Sequence, residues 1–241
     1  MIFHILKSDG DYMIYLDYAA NTPVDKEVLD VYYDVTLKYV ANPNSIHKLG
    51  VEAKELLDNS TEKIAELLNV KSQEIIYTSG SSESNNLAIF GVARRYKNRG
   101  KHIIVSALEH SSIISPVTAL LEQGYEVDVL KVDHKGKVDL EQLKGLLRHD
   151  TILVSINYVD SEIGIIQPIK EIKEILKDYP NCIFHTDATQ AIGKIEVDCS
   201  LVDLMTISPH KFCGLNGFGI LIKKEHVILE PLILGGKSTT I

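Results

Sequence analysis

The chain has 241 residues, of which 45% are hydrophobic and 24% are charged. Such a composition can bury a sizeable core and excludes a chain that is mainly disordered. The formal net charge of -8 argues against sequence-independent binding to nucleic acid, because that binding needs clustered Lys and Arg to displace counterions from phosphates. A small-molecule partner fits this composition better.

Three cysteines occur, an odd number without a CxxC pair, which suits neither a disulfide framework nor a zinc site. We therefore expect a reducing, cytoplasmic setting. No apolar run approaches the roughly 20 residues that a membrane span requires, and the opening MIFHILKSDGDY lacks the small-residue cleavage site of a signal peptide. These features predict a soluble protein without a membrane partner.

The turn-like sequence SDGD at residues 8–11 separates the opening segment from a cleaner start at Met13. We interpret residues 1–12 as an N-terminal extension. From residue 50 onward, short β-rich apolar runs alternate with amphipathic stretches, which is the pattern of a mostly parallel sheet covered on both faces by helices. Residues 13–241 are therefore predicted to form one α/β domain.

Seven strands and five helices are predicted in this region. The strands lie near residues 75–78, 103–107, 126–132, 152–157, 183–186, 204–207 and 219–222. The helices lie near residues 50–69, 83–97, 111–123, 139–148 and 168–178. Because open α/β sheets bind ligands beyond the carboxyl ends of their strands, polar residues that directly follow strands are the candidates for a functional site.

The first candidate segment is TSGSSESNN at residues 78–86, where a predicted strand passes into a helix. Small hydroxyl residues and a glycine at such a junction expose backbone N–H groups at a helix N-terminus, and the helix dipole there favours an anion. The segment therefore suits a phosphate group. The alternative is ordinary N-capping by serine with a glutamate behind it, which needs no ligand.

Asp187 and Lys211 each follow another predicted strand. The Asp187 carboxylate could hold the protonated nitrogen of a heteroaromatic ring, or it could cap the next helix. Poor solvation just past a buried strand would lower the pKa of Lys211 and make its amine a nucleophile toward a carbonyl carbon. The alternative is a solvated surface lysine. Together, the three strand ends meet the binding demands of pyridoxal 5'-phosphate.

Several motifs also occur in the order that is typical of cysteine desulfurases, a group within the class V aminotransferases. They are residues 15–23 (YLDYAANTP), 42–47 (NPNSIH), 78–86, 109–110 (EH), 162–164 (EIG), 187–190 (DATQ) and 208–211 (SPHK). The chain resembles this family from about residue 13 to about residue 236. The resemblance implies the large domain of a fold-type-I transferase that depends on pyridoxal phosphate.

The resemblance further implies a role for each matching residue. Lys211 would bind the cofactor covalently and then move protons at the substrate, and His110 would stack over the cofactor ring and assist proton transfer. Asp187 would hold the ring N–H, and Gln190 would hydrogen-bond the phenolic oxygen. The phosphate would be held by Ser81, Ser82, Ser208 and His210. For His110 the alternative is a helix cap or a satisfied buried imidazole.

Two departures from the family pattern are visible. Where the family usually has Asn-Asn-Glu-Ile-Gly, this chain has DSEIG at residues 160–164, so the shorter hydroxyl of Ser161 replaces an asparagine amide near the cofactor. Family members also continue past GG at 235–236 into a smaller domain with the nucleophilic cysteine, whereas this sequence has KSTTI. A thiolate there attacks the substrate sulfur, and no cysteine of this chain matches that position. The three are Cys182, Cys199 and Cys213.

The leading interpretation is a cysteine desulfurase-like protein that depends on pyridoxal phosphate and lacks the C-terminal small domain with its catalytic cysteine. The intact family converts L-cysteine to L-alanine as a homodimer and passes the sulfur to an acceptor or scaffold protein, for iron–sulfur clusters or thiolated tRNA. One alternative is a catalytically incompetent cofactor-binding fragment, or a subunit completed in trans. Another is a different class V reaction, such as transamination or selenocysteine cleavage.

Overall fold

The structure, a computed structural model, describes residues 4–8 and 11–235. The departure predicted at residues 237–241 lies outside the described residues, and so does part of the predicted extension at 1–12. Strands β1 (His4–Ser8) and β2 (Asp11–Tyr15) pair as an antiparallel ribbon, so β2 runs across the predicted boundary at residue 12. The extension itself stays a prediction.

Seven further strands form one sheet. They are β3 (Ile75–Thr78), β4 (His102–Ser106), β5 (Glu126–Leu130), β6 (Thr151–Ser155), β7 (Ile183–Asp187), β8 (Leu204–Ile207) and β9 (Gly219–Lys223). Their spatial order is β3-β9-β8-β7-β6-β4-β5, and β9 is antiparallel to both of its neighbours while all other pairs are parallel. The predicted seven-stranded, mostly parallel α/β sheet is confirmed.

Six helices accompany the sheet in the described ranges. They are α1 (Lys26–Lys38), α2 (Lys48–Leu68), α3 (Ser81–Tyr96), α4 (Ser111–Leu121), α5 (Leu140–Leu146) and α6 (Ile169–Leu176). The five predicted helices match α2 to α6. Helix α1 was not predicted; the Asp25 side chain caps it by accepting from the backbone N–H of Glu27, and no α1 residue is buried. No helix within the described ranges is long and apolar enough to cross a membrane.

Helices cover both faces of the sheet. Neighbouring residues of a strand point to opposite sides, and each side packs against its own helices. Ile104 and Phe184 belong to a core cluster that includes residues of α5 and α6. Ile103 and Ile183, their neighbours in sequence, belong to a second cluster that includes residues of α3 and α4. Burial on both faces explains why these strands are continuous apolar runs.

The strand directions bring several loops to one edge of the sheet. β4, β6, β7 and β8 are parallel, so the loops after Ser106, Ser155, Asp187 and Ile207 lie side by side. β3 is antiparallel to β9, which is antiparallel to β8, so the carboxyl end of β3 also reaches this edge. All of the predicted strand-end motifs therefore converge there.

Candidate functional site

A cavity of about 310 Å³ opens at this edge of the sheet. Its wall contains eight of the nine residues that the sequence predicted for a cofactor site. They are Ser81, Ser82, His110, Ser161, Asp187, Gln190, His210 and Lys211. The ninth, Ser208, is fully buried behind this wall, where its hydroxyl hydrogen-bonds Nδ1 of His210 at 2.9 Å.

Lys211 ends a short 3₁₀ turn, Pro209–Lys211, that directly follows β8. Its Nζ donates to the backbone carbonyls of Ala19 at 2.9 Å and Ala20 at 2.7 Å. Partial burial lowers the pKa of Lys211, although the charges of Asp17 and Asp187 oppose this shift. The amine therefore faces the cavity in the partly desolvated setting that favours a nucleophile, and differs from a solvated surface lysine.

Asp187 is the last residue of β7 and is almost completely buried. Its Oδ2 accepts from Nδ2 of Asn85 at 2.7 Å, and its Oδ1 accepts from the backbone N–H of Thr189 at 3.0 Å. The bond to the Thr189 N–H has the geometry of the helix cap that was the alternative for Asp187. The residues that follow β7 form a turn, however, and not an α-helix. A carboxylate held from two sides is well placed to accept from a cationic ring N–H in the cavity.

The segment after β3 forms a cup at the N-terminus of α3. Its N-cap is Gly80, with φ of +157° and no side-chain cap. The Glu83 carboxylate accepts from the backbone N–H of Ser79 at 2.7 Å and from its hydroxyl at 2.6 Å. Glu83 therefore stabilises the turn, while the hydroxyls of Ser81 and Ser82 line the cavity beside the amide groups of the first turn.

His110 is the N-cap of α4, so the capping alternative considered for it is present in the structure. Its Nδ1 accepts from the backbone N–H of Ser112 at 3.1 Å and hydrogen-bonds the Ser112 hydroxyl at 2.8 Å. The ring also lines the cavity, so capping and a functional contact use different parts of one imidazole.

Gln190 and Ser161 both lie in the cavity wall. The Nε2 of Gln190 donates to the carbonyl of Ala19 at 2.8 Å, and its Oε1 accepts from Nζ of Lys194 at 2.5 Å. Ser161 lies in a turn held by Asp160, whose Oδ1 accepts from the backbone N–H groups of Glu162 and Ile163. Asp160 is thus used to build the turn that presents Ser161.

Among the residues at or beside the cavity that were not predicted, three have polar side chains that concern its chemistry: Asn157, Thr189 and Glu109. Asn157 and Thr189 line it two residues beyond β6 and β7, so the strand-end rule could have found both. Glu109 stands next to His110, and its Oε1 accepts from the Ser106 hydroxyl at 2.5 Å and from the backbone N–H of Asn157 at 2.8 Å. Burial raises the pKa of Glu109 to about 8, assisted by the negative charges of Asp187 and Asp160.

The wall also contains buried polar atoms that lack a partner. Asn157 Oδ1 and Thr189 Oγ1 are both inaccessible to solvent and make no hydrogen bond within the described part of the chain. Unsatisfied buried polar groups are costly, and they are often found where a ligand or water completes the hydrogen bonding. An amine, a buried carboxylate and a hydroxyl-lined helix N-terminus surround the same space, so the residues fit pyridoxal phosphate.

The three cysteines are poor candidates for a mobile nucleophile. Cys182 and Cys199 are buried, and burial raises the pKa of each thiol, that of Cys199 to about 11. Cys213 is exposed but has φ of +67°, its N–H donates to Thr22 Oγ1 at 2.7 Å, and its carbonyl accepts from the N–H of Asp25. The backbone of Cys213 is therefore fixed on both sides.

Comparison with known proteins gives consistent results. The sequence model of the family described as Aminotransferase class-V matches residues 14–241. Cysteine desulfurase IscS 1 of Archaeoglobus fulgidus is 44% identical over 226 residues, which cover 93% of this chain and 59% of that protein. The NifS/IcsS protein homolog of Lactobacillus delbrueckii subsp. bulgaricus is 49% identical over 227 residues, again 93% and 59%. The chain thus spans 59% of the length of these relatives.

Solved structures agree with these similarities. A NifS-like protein superposes with a TM-score of 0.88 at 37% identity, covering 91% of this chain and 61% of that one. A structure titled SspA in complex with cysteine has a TM-score of 0.87 at 34% identity, covering 92% and 65%. The resemblance to cysteine desulfurases and the fold expected from it are confirmed.

Proposed function

Because the chain belongs to the class V aminotransferase family, we propose that it binds pyridoxal 5'-phosphate at the cavity and acts there on L-cysteine, as in a cysteine desulfurase. The observation that carries this proposal is the convergence of Lys211, Asp187 and the α3 N-terminus on one cavity. Relatives with similar sequences are named cysteine desulfurases, and the SspA structure contains cysteine.

Each part of the cofactor has a matching group in the wall. Lys211 would hold the aldehyde carbon, Asp187 the ring N–H, and Gln190 or Ser161 the phenolic oxygen. The phosphate would lie at the α3 N-terminus against Ser81, Ser82 and His210, with Ser208 orienting His210 through their hydrogen bond. When bound, pyridoxal phosphate withdraws electrons from the substrate Cα and so acidifies its proton.

The protein's own groups would then move protons and exclude water. Lys211 has a lowered pKa because of burial, so a larger fraction of its amine is free to accept the proton from the substrate Cα. His110 would cover the ring and assist proton transfer. The Asp187 carboxylate, fixed by Asn85 and Thr189, would keep the ring nitrogen protonated.

Sulfur transfer needs a thiolate that can reach the substrate sulfur, and the cysteines of the described residues do not supply one. Cys182 and Cys199 are buried, and the backbone of Cys213 is pinned. This observation favours a second candidate function, a cofactor-binding module whose sulfur-accepting thiol is supplied by another segment or partner. Transamination and selenocysteine cleavage remain alternative reactions for the same site.

We further propose that the functional unit is a cytoplasmic homodimer that passes sulfur to an acceptor or scaffold protein. Helix α1 supports an interface, because it has no buried residue and exposes Val31, Tyr33 and Leu37. Size-exclusion chromatography with light scattering would distinguish the dimer from a monomer.

Absorbance spectroscopy tests the proposed function. Wild-type protein mixed with pyridoxal phosphate is expected to develop a band at longer wavelength than the free cofactor, and L-cysteine is expected to shift it. Lys211→Ala should lack the band, whereas Lys170→Ala, a matched change at an exposed position on α6, should retain it. A wild-type spectrum equal to that of free cofactor would contradict the proposal.

A further inference from the structure

Asn85 lies in the second turn of α3 and is completely buried between the cavity wall and the core. Neither the strand-end rule nor the matched motifs gave it a role. Its side-chain amide nevertheless contacts both Asp187 of β7 and Ser112 of α4. Asn85 therefore joins three separate elements of the cofactor site.

The orientation of the Asn85 amide is fixed by charge. Its Nδ2 donates to Oδ2 of Asp187 at 2.7 Å and to the Ser112 hydroxyl at 2.8 Å. The reverse orientation would place the amide carbonyl against the carboxylate, where two acceptors repel each other. In the observed orientation Asn85 Oδ1 is buried without a hydrogen-bond partner among the described residues. The two donated bonds must offset that loss.

Donation by Asn85 determines where the Ser112 hydroxyl sends its own proton. A hydroxyl that accepts from an amide still has one O–H to donate, and Nδ1 of His110 lies 2.8 Å from Ser112 Oγ. The backbone N–H of Ser112, which can only donate, also points at this nitrogen from 3.1 Å. Nδ1 of His110 therefore acts as an acceptor, and the proton of the neutral ring is on Nε2.

We propose that Asn85 is a positioning residue that couples Asp187 to His110. It holds the carboxylate directly, and it directs the Ser112 hydroxyl proton to Nδ1 of His110 as a second donor beside the backbone N–H that keeps the ring proton on Nε2. This inference rests on the proposed function for the roles of Asp187 and His110. It adds that His110 presents a proton donor at Nε2, because Nδ1 is occupied by the cap of α4.

The same amide also ties both residues to the proposed phosphate cup. Ser81 and Ser82 begin the helix that carries Asn85, so one helix supplies both the cup and the amide that holds Asp187 and Ser112.

The test uses the full chain without cofactor, with ring-nitrogen chemical shifts measured by ¹⁵N NMR at a pH where histidine is neutral. His110 is assigned by its loss in His110→Gln. Wild type is expected to show the Nε2-protonated form of His110. Asn85→Leu should keep that form, because the backbone N–H of Ser112 still donates to Nδ1, but it should shift the Nδ1 resonance, because the Ser112 hydroxyl is no longer held as the second donor. Asn86→Ala, a matched change at the next position, where the amide donates to the Ser82 carbonyl, should leave the His110 shifts unchanged.

Ser112→Ala provides a second variant that does not depend on the folding of Asn85→Leu. It removes the hydroxyl between Asn85 and His110 and keeps the Asn85–Asp187 bond. We expect the same change in His110 shifts, with pyridoxal phosphate affinity within about threefold of wild type, whereas Asn85→Leu should weaken that affinity about tenfold, since it also removes a bond to a charged group.

Wild-type His110 shifts in either folded variant would overturn the inference, because a residue that only fills space would leave the Nδ1 resonance unchanged. The two proposals fail separately. If wild type does not bind pyridoxal phosphate, the proposed function fails, while the shifts measured without cofactor still decide whether Asn85 and Ser112 control His110.

Discussion

The Glu109 carboxylate accepts a hydrogen bond of 2.8 Å from the backbone N–H of Asn157, and so joins the loop after β4 to the loop after β6. The Ser106 hydroxyl donates to the same oxygen at 2.5 Å. Glu109 directly precedes His110, so this link also fixes the start of α4 at the cavity. Because the link is buried, its charge state affects the stability of the folded chain.

Replacing Glu109 by Gln is expected to change how stability depends on pH. Burial raises the pKa of Glu109 from an ordinary 4.5 to about 8, so the folded chain keeps a proton that the unfolded chain releases. The stabilising contribution of this group is therefore complete below the unfolded pKa and is lost as the pH rises through the folded pKa. The amide side chain in Glu109→Gln does not titrate, so its contribution to stability should not change over this pH range.

Urea unfolding at a series of pH values measures this effect. Between about pH 5 and about pH 8, wild type should lose up to about 4 kcal/mol of unfolding free energy relative to Glu109→Gln. The difference should grow by about 1.4 kcal/mol per pH unit. Glu55→Gln, at an exposed position on α2, should follow wild type. Parallel curves for wild type and Glu109→Gln would show that Glu109 is ionised throughout.

The hydroxyls of the α3 cup are expected to act on the phosphate alone. Replacing Ser81 and Ser82 together by Ala should weaken pyridoxal phosphate binding by about a hundredfold or more, because two hydrogen bonds to a charged group, at about 1.5–3 kcal/mol each, are lost while backbone amides remain. Affinity for pyridoxal, which lacks the phosphate, should not change. Fluorescence titration gives both constants, with Ser60→Ala on exposed α2 as control. Equal losses for both ligands would place the phosphate elsewhere.

Gly219 is expected to tolerate no side chain. A Cβ there would lie 2.5 Å from Thr78 Oγ1 and 2.6 Å from the Gly80 backbone, so the cup would have to move. Gly219→Ala should destabilise the chain by about 1–3 kcal/mol, as overpacking does. Gly145→Ala, in α5 with open space around it, should be neutral or stabilising by up to about 1 kcal/mol. Thermal unfolding of both variants measures these two stability changes. Equal stability of Gly219→Ala and Gly145→Ala would show that β9 can shift to make room for the methyl group.

Thiol reactivity should separate the three cysteines. Cys213 is exposed, whereas Cys182 and Cys199 are buried with raised pKa values. A thiol reagent under native conditions should therefore label Cys213 first, and in urea all three, as counted by mass spectrometry. In Cys213→Ser, fast labelling should disappear. Rapid native labelling of Cys199 would mean that its segment opens readily.

The central strands β4, β6, β7 and β8 could be predicted from the sequence because they are buried on both faces and are rich in apolar residues. Helix α1 was not predicted, since none of its residues is buried and its pattern has no apolar face against the core. The strand-end residues Asp187 and Lys211 could be found from the rule that ligands bind at carboxyl ends.

The hydrogen-bond network behind these residues could not be predicted in the same way. Asn85 and Asp187 are 102 positions apart, and Glu109 and Asn157 are 48 apart. Such pairs meet because β4, β6 and β7 are neighbours in the folded sheet. The local sequence pattern of each strand does not reveal the order in which the strands lie. Asn157 belonged to no matched motif, and Thr189 lay within the matched motif at 187–190 but received no role from it.

We propose that Lys211 is the residue to which pyridoxal phosphate becomes attached. The attachment site can be read by borohydride reduction of the protein–cofactor mixture, followed by digestion and mass spectrometry. We expect one modified peptide, with the added mass on Lys211, and no modified peptide from Lys211→Ala. Modification spread over exposed lysines such as Lys170, with Lys211 unmodified, would show that the cofactor does not bind at this lysine.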